Sequence, residues 1–142
     1  LIAEIAERFG NQCVVAGIDY RQVEEGAFVW IRCGTEKTNI DPVTHARHLE
    51  ALGAGEIFLN SIDRDGAMQG YDLETAEQVA AEVSVPVIVC GGAGNFMHLA
   101  DLLQDTSASA AACASIFHFG DNNPIRARSY LRNRNVPMRV LK

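Results

Sequence analysis

The chain has 142 residues, of which 48% are hydrophobic and 21% charged, a composition typical of globular domains. This length predicts a single domain, 1–142, with a core of its own. The formal net charge of −6 argues against a broad surface for nucleic acid or anionic lipid. No apolar run is long enough to cross a membrane, so we expect neither a nucleic-acid nor a membrane partner.

The first predicted elements are a helix, a hairpin and a second helix. Apolar residues at helical spacing predict a first helix that ends at Gly10. An apolar run predicts a strand at 13–19, and alternating apolar residues predict a hairpin strand at 28–34. Asp41 is the expected N-cap of the next helix, with Pro42 at its first position.

The order of strand, loop and helix then repeats to the end of the chain. Further strands are predicted at 56–62, 86–90 and 109–114, and further helices around 72–83, 96–103 and 124–133. The strands are apolar at nearly every residue, as buried parallel strands are. The predicted fold class is therefore α/β with a parallel sheet, and ligands are expected at the carboxyl ends of its strands.

Alternation within the strand at 56–62 indicates a barrel-like arrangement. Ile57 and Leu59 share a face that helices are expected to cover, whereas Glu56, Phe58 and Asn60 share the face that would line a barrel. Four strand–helix units are half of an eight-stranded TIM barrel, so we predict a (βα)4 half-barrel. Such a half exposes apolar sheet and two strand edges, and we expect a second half-barrel or another copy of this chain as partner.

The four cysteines follow no metal-binding or redox spacing, and each lies within or beside an apolar stretch. They are Cys13, Cys33, Cys90 and Cys113. We expect reduced thiols that behave as small buried hydrophobic side chains, and therefore a cytoplasmic protein. The chain opens without methionine, on a helical pattern, so we expect further sequence upstream of Leu1.

Two loops at strand ends have the composition of a phosphate site. In GGAG, Gly91 and Gly92 open a helix and could aim backbone N–H groups at an anion, although a glycine-rich turn without a ligand has the same sequence. Ala114 and Ser115 lie where the last predicted strand meets a short helical turn, whose amides are free donors. Because these loops follow neighbouring strands, they reinforce each other as one candidate site.

Acidic residues end two of the predicted strands. Asp19 closes the first strand, where a cap, a salt bridge and a catalytic acid–base role are all open. In the run DRDG, we expect Arg64 to form a structural ion pair with one carboxylate. We expect Asp65, next to Gly66, to face a ligand.

The histidines predict no metal site. His45 and His48 stand at i, i+3 on one helix without a third ligand, so we interpret them as solvent-facing. His98 and His118 are interpreted as structural. No zinc signature, P-loop or Ser-His-Asp order is present, and no cofactor is expected.

Taken together, the strings VVAGID, LGAGEIFLNSIDRDGAMQGYDLE, VPVIVCGGAGN and ACASIFHFG resemble the cyclase subunit of imidazole glycerol phosphate synthase, from histidine biosynthesis. The resemblance covers essentially the whole chain, but only the carboxyl-terminal half of that family's (βα)8 barrel. It implies closure of an imidazole ring on a phosphorylated ribulosyl substrate, a bisphosphate, with ammonia supplied by a glutaminase subunit.

The resemblance also implies roles for particular residues. Asp19 matches one of two catalytic aspartates that act as acid and base, and Glu56 matches a charged residue of the ammonia gate. The residues assigned to substrate and phosphate contacts are Asn60, Asp65, Gly66, Gly91, Gly92, Ala114 and Ser115.

Departures from the family pattern keep other functions open. The half that carries the other catalytic aspartate, a lysine and the second phosphate site is not in this chain. Cys90 stands where the family commonly has serine, and Asn39 where a Thr-Gly pair is usual. These changes also suit a paralogous ammonia-using subunit for a surface-sugar substrate, and the missing half suits a non-catalytic phosphate-binding half-barrel.

Overall fold

The structure is a computed structural model that describes residues 1–138. Its strands are β1 (Val15–Val23), β2 (Gly26–Ile31), β3 (Glu36–Lys37), β4 (Glu56–Ser61), β5 (Val87–Cys90) and β6 (Ala110–Ala111). Its helices are α1 (Ile2–Phe9), α2 (Pro42–Ala51), α3 (Leu73–Glu82), α4 (Phe96–Asp105), α5 (Ser115–His118) and α6 (Pro124–Asn133). The short 3-10 turn Asn11–Cys13 joins α1 to β1. The predicted domain also includes 139–142, which lie outside the described residues.

The strands form one sheet in the order β3-β2-β1-β4-β5-β6. Strands β1, β4, β5 and β6 run parallel, and the hairpin of β2 and β3 extends the sheet antiparallel at the β1 edge. A helix follows each of the four parallel strands, as in half of a (βα)8 barrel. The predicted α/β fold class is therefore confirmed.

The two faces of the sheet have different environments. On β4, Ile57, Leu59 and Ser61 are at most 1% exposed beneath the helices, whereas the alternate residues Glu56, Phe58 and Asn60 are half-buried on the other face. Helices α2, α3, α4 and α6 bury small and aliphatic side chains on the covered side, namely Ala46, Leu49, Ala76, Val79, Leu99, Leu102, Ala127 and Leu131. The opposite face is open, and we call it the inner face.

Short polar side chains determine where the longer helices begin. The Asp41 carboxylate accepts the Thr44 amide at 2.9 Å at the start of α2, and Asp72 accepts the Thr75 amide at 3.3 Å at the start of α3. Asn95 caps α4 in the same way. Each cap satisfies an amide that the first helical turn leaves without an acceptor, so these starts follow from local sequence.

Three strand predictions have wrong bounds. Strand β1 runs to Val23 rather than 19, because pairing with β2 continues to Val23 opposite Gly26. Strand β2 ends at Ile31, before a turn in which Arg32 and Cys33 adopt positive φ. Strand β6 is only Ala110–Ala111, because it lies at the sheet edge and pairs with β5 alone.

The prediction of buried cysteines is wrong. Cys13 and Cys33 are exposed, while Cys90 and Cys113 are half-buried, and all four are free thiols. Cys13 lies in the 3-10 turn and Cys33 in the tight turn after β2, which are surface connections rather than strand interiors. Within 1–138, none of the helices is both long and apolar enough to span a bilayer.

Candidate functional site

A cavity of about 230 Å³ lies at the carboxyl ends of β5 and β6. Its lining includes six of the residues that the sequence assigned to substrate and phosphate contacts, namely Asp65, Gly66, Gly91, Gly92, Ala114 and Ser115. Three separate loops therefore meet there, one after each of β4, β5 and β6. The parallel order of these strands causes this meeting, since it directs their carboxyl ends to the same edge of the sheet.

Close packing of two loops explains the glycines at 91 and 92. Both have positive φ, and a β-carbon would lie 2.4 Å from the Ser61 carbonyl oxygen at Gly91 and 2.1 Å from the Gly70 carbonyl oxygen at Gly92. The Gly70 amide also donates to the Gly92 carbonyl at 2.7 Å. The loop after β5 is therefore locked against the loop after β4, and only glycine fits at this contact.

The cavity wall carries unused hydrogen-bond donors. Within residues 1–138, the amides of Gly92, Ala93, Ala114 and Ser115 donate to no acceptor. Ala114 is the N-cap of α5 and Ser115 its first residue, positions where amides lack internal partners. Backbone N–H groups that converge on a concave surface favour an anion such as phosphate.

The two thiols that line this cavity stay neutral near pH 7. Burial, with a smaller contribution from the charge of Asp65, raises the pKa of Cys90 above its ordinary value. Burial also raises the pKa of Cys113. Neither sulfur therefore adds negative charge to a site whose amides favour an anion.

Asp19 and Asn60 form a polar pair on the inner face beside the cavity. The register of the sheet places Asp19 of β1 beside Asn60 of β4, and Asn60 beside Cys90 of β5. The Asn60 Nδ2 donates to Asp19 Oδ1 at 3.0 Å. The Asn60 Oδ1 is buried without a hydrogen-bond partner among the described residues. The Asp19–Asn60 pair therefore offers acceptor oxygens, whereas the cavity offers donor amides.

The charged run after β4 is arranged differently from the prediction. Arg64 pairs with neither neighbouring carboxylate; its Nη1 donates to the carbonyl of Gly70 at 3.2 Å and to that of Tyr71 at 3.4 Å. Asp63 instead lies 3.4 Å from Arg21 Nε. The predicted ion pair of Arg64 is thus wrong, because its guanidinium donates to the carbonyls of the returning loop instead. Asp65 is exposed and lines the cavity.

Glu56 does not join the other predicted site residues. It is half-buried at the amino end of β4, on the inner face, four residues before Asn60. At about 3.3 Å per residue, the two positions are about 13 Å apart along the strand. The assigned gate residue and the cavity thus lie at opposite ends of the inner face.

A buried polar network behind the site was not recognised in the sequence. The Tyr20 hydroxyl donates to Asp72 Oδ2 at 3.2 Å, and Gln22 Nε2 donates to the same oxygen at 3.3 Å. Burial is the largest cause that raises the pKa of Tyr20, and Asp72 raises it further. The alternation of side chains along β1 could have indicated this network, because it places Tyr20 and Gln22 on the same helix-covered face as Ile18.

The Tyr71 hydroxyl ties the loop after β4 to the loop after β6. It donates to the Ala112 carbonyl at 2.8 Å, and burial raises the pKa of Tyr71. The neighbouring Gly70 amide bonds the Gly92 carbonyl, and Gly92 and Ala112 both line the cavity, so residues 70 and 71 together link its two sides.

The histidines lie away from the cavity lining. His48 is exposed on α2 and His45 is half-buried, where burial lowers its pKa. His98 accepts the Gly94 amide at its Nδ1 and so supports the glycine loop from behind, in agreement with a structural role. Among the described residues, no group of three or more His, Cys, Asp or Glu could hold a metal ion.

Fold and site together define a parallel α/β protein of half-barrel architecture, with its polar and glycine-rich loops gathered at the carboxyl ends of the strands. The family model described as "Histidine biosynthesis protein" matches residues 1–123. This match covers most of the chain, which therefore belongs to that family. The matched range includes β1 to β6, the cavity and the Asp19–Asn60 pair.

Proposed function

We propose that this chain is the carboxyl-terminal half of a cyclase subunit of the imidazole glycerol phosphate synthase type. In this proposal it binds a phosphorylated ribulosyl substrate and uses ammonia from a glutaminase subunit to close the imidazole ring. The observation that carries the proposal is the 230 Å³ cavity in which three loops bring six assigned residues together. Membership of the histidine-biosynthesis family supports a role in that pathway.

The cavity would hold one phosphate group of the substrate. Its unpaired amides at Gly92, Ala93, Ala114 and Ser115 can donate to phosphate oxygens without reorganisation, because the loops are already locked. Gly66 lines the cavity, and a β-carbon there would meet nothing within 4 Å, so a ligand can approach its backbone closely. These contacts act on a charge that the substrate carries throughout the reaction, so they contribute to binding rather than to turnover.

Asp19 would be the acid–base group that accepts a proton from the substrate or returns one. Its Oδ1 accepts a hydrogen bond from Asn60, which fixes the carboxylate plane and leaves Oδ2 free to accept a proton from the bound substrate or return one. The orphan Oδ1 of Asn60 can accept a hydrogen bond from a substrate hydroxyl or amino group. The Asp19–Asn60 pair and the cavity thus complement each other. The cavity amides suit the anionic end of a ligand, and the acceptor oxygens of the pair suit hydrogen-bond donors beside that end.

The rest of the active site would come from a partner on the inner face. Val15 is 54% exposed there, and Phe58 and Glu56 are only half-buried, so the face has the apolar surface that a second half-barrel would cover. A completed barrel would set Glu56 at the entrance opposite the cavity, where ammonia from a glutaminase could enter.

The test is to combine this chain with the amino-terminal half of a family cyclase and supply saturating ammonia, which bypasses the glutaminase. We expect imidazole glycerol phosphate to form. Asp19→Asn should retain substrate affinity and lower turnover by roughly 10² to 10⁴-fold, the range for a lost acid–base group. Ser115→Tyr should instead weaken binding, because the bulky ring enters the cavity.

Two outcomes would contradict the proposal. If Asp19→Asn raised the Michaelis constant and left turnover unchanged, Asp19 would be a binding residue. If the combined halves bound the ribulosyl substrate without converting it, this chain would be either a non-catalytic phosphate-binding half-barrel or a subunit for another sugar phosphate. Turnover of a surface-sugar substrate under the same conditions would identify the latter.

A further inference from the structure

Arg64 directly precedes the cavity residues Asp65 and Gly66, yet it is not among the residues of 1–138 that line the cavity. Its side chain is half-buried and turns back into its own loop. There the Nη1 donates to the carbonyl of Gly70 at 3.2 Å and to that of Tyr71 at 3.4 Å. The guanidinium therefore joins the beginning of the loop after β4 to its end, behind the cavity rather than within it.

Arg64 bonds both of the carbonyls against which the glycine pair of the cavity packs. Its backbone amide donates to the Ser61 carbonyl at 3.1 Å, and that oxygen is the atom with which a β-carbon at Gly91 would clash. Its side chain donates to the Gly70 carbonyl, with which a β-carbon at Gly92 would clash. One residue thus fixes both surfaces on which the two glycines rest.

The attachment of Arg64 reaches the donor amides of the cavity in one further step. A hydrogen bond from a guanidinium is roughly twice as strong as one between neutral groups, so the Gly70 carbonyl is held firmly. The Gly70 amide donates to the Gly92 carbonyl at 2.7 Å, so a displacement of residue 70 would be passed directly to Gly92. The amides of Gly92 and Ala93, which donate to no acceptor within residues 1–138, would then lose their common direction.

The donor amides on the other side of the cavity are placed independently of Arg64. Ala114 and Ser115 lie at the amino-terminal end of α5, whereas the hydrogen bonds of Arg64 go to the loop after β4. The short helix orders its own first turn, in which the Phe117 amide donates to the Ala114 carbonyl at 2.9 Å. Removal of the Arg64 side chain should therefore disturb one side of the cavity and spare the other.

We propose that Arg64 is a positioning residue of the phosphate cavity, which holds the Gly70 carbonyl against the glycine pair and so aims the amides of Gly92 and Ala93 at the bound anion. This proposal rests on the phosphate cavity of the proposed function. It adds a residue that acts on binding through the backbone rather than by contact with the ligand. In this role Arg64 contributes to affinity and not to the proton transfer assigned to Asp19.

The test follows the backbone amide resonances of the full chain by heteronuclear NMR during titration with inorganic phosphate. In the wild type, we expect the amides of Gly92, Ala93, Ala114 and Ser115 to shift together. Arg64→Met keeps the length of the side chain but removes its donors, and it should weaken phosphate binding by at least about tenfold, the effect of one lost charge-assisted hydrogen bond. At saturating phosphate, the amides of Ala114 and Ser115 should still shift, whereas those of Gly92 and Ala93 should respond only weakly.

Arg47→Met is the matched control. The Nη1 of Arg47 also donates a single-ended contact, at 3.3 Å to the Glu82 carboxylate, but on the exposed surface of α2 and α3. This variant should leave the phosphate affinity and the shifts of all the cavity amides unchanged. Arg64→Lys keeps the charge but not the planar fork, so it should give an intermediate loss, and it takes the place of Arg64→Met if that variant does not fold.

Two results at Arg64 would overturn the positioning role while the cavity proposal stands. One is an Arg64→Met variant that binds phosphate as the wild type does. The other is a variant in which the amides on both sides of the cavity lose their response equally, because positioning predicts a loss on the Gly92 side alone. A wild-type chain in which phosphate shifts none of the cavity amides would refute the phosphate cavity itself, and the positioning role with it.

Discussion

Replacing Asp72 with alanine should destabilise the protein more than a lost helix cap explains. Asp72 caps α3 by accepting the Thr75 amide at 3.3 Å, and its other oxygen accepts the Tyr20 hydroxyl at 3.2 Å. Asp72 is 5% exposed and Tyr20 is fully buried. Asp72→Ala therefore removes a cap and also leaves a buried hydroxyl without its acceptor.

The magnitude follows from these two losses. An N-cap aspartate replaced by alanine costs about 1 kcal/mol. A buried hydroxyl left without a partner costs about 1–3 kcal/mol more. Gln22 loses a contact as well, but it is exposed and can bond to water. We therefore expect Asp72→Ala to lower the free energy of unfolding by about 2–4 kcal/mol.

Asp41→Ala is the matched control, because Asp41 also caps a helix by accepting the amide of a threonine three residues on, but at an exposed site. Urea unfolding followed by circular dichroism should give a loss of only about 1 kcal/mol for this variant. Adding Tyr20→Phe to Asp72→Ala should restore part of the difference, since the orphaned hydroxyl is gone. The reasoning fails if Asp72→Ala and Asp41→Ala lose equal stability.

Two further predictions concern the glycine loop and a surface carboxylate. Gly92→Ala should lower both stability and phosphate affinity, because its β-carbon would lie 2.1 Å from the Gly70 carbonyl oxygen. Urea unfolding and phosphate titration of the same variant would check this, and a loss of stability alone or of affinity alone would contradict it. Glu50 has a lowered pKa because it accepts hydrogen bonds from the hydroxyl and amide of Ser84. A lowered carboxyl pKa stabilises the folded state at pH values above the unfolded pKa of about 4.5, so the wild type should be more stable than Glu50→Gln at pH 7. That advantage should disappear as the pH falls below about 4.5 and through the lower folded pKa. An advantage that persists in acid would contradict this prediction.

The glycine cluster shows how sequence can identify a site without distinguishing its cause. From sequence, GGAG fitted both a phosphate loop and a plain turn. The structure gives Gly91 and Gly92 a packing reason, contact with the loop after β4, that holds with or without a ligand. The stronger indication of an anion site is the set of unpaired amides at Ala93, Ala114 and Ser115, which depends on where three loops meet.

Sequence by itself determined what depends on neighbouring residues. Helix starts at Asp41 and Asp72 follow from side chains that bond amides three residues away, and the two faces of β4 follow from alternation of Ile57 and Leu59 with Glu56. The order of elements, and with it the half-barrel class, came from the same short-range patterns.

Tertiary structure alone decided what depends on distant partners. The length of β6 depends on its edge position beside β5, and the role of Arg64 depends on carbonyls that a returning loop brings to it. The guanidinium of Arg21 stacks on the ring of Trp30, nine residues later and across a hairpin. Such contacts form only when the strands pair in the correct register. The free energy of that pairing comes from the whole sheet rather than from any local run of residues.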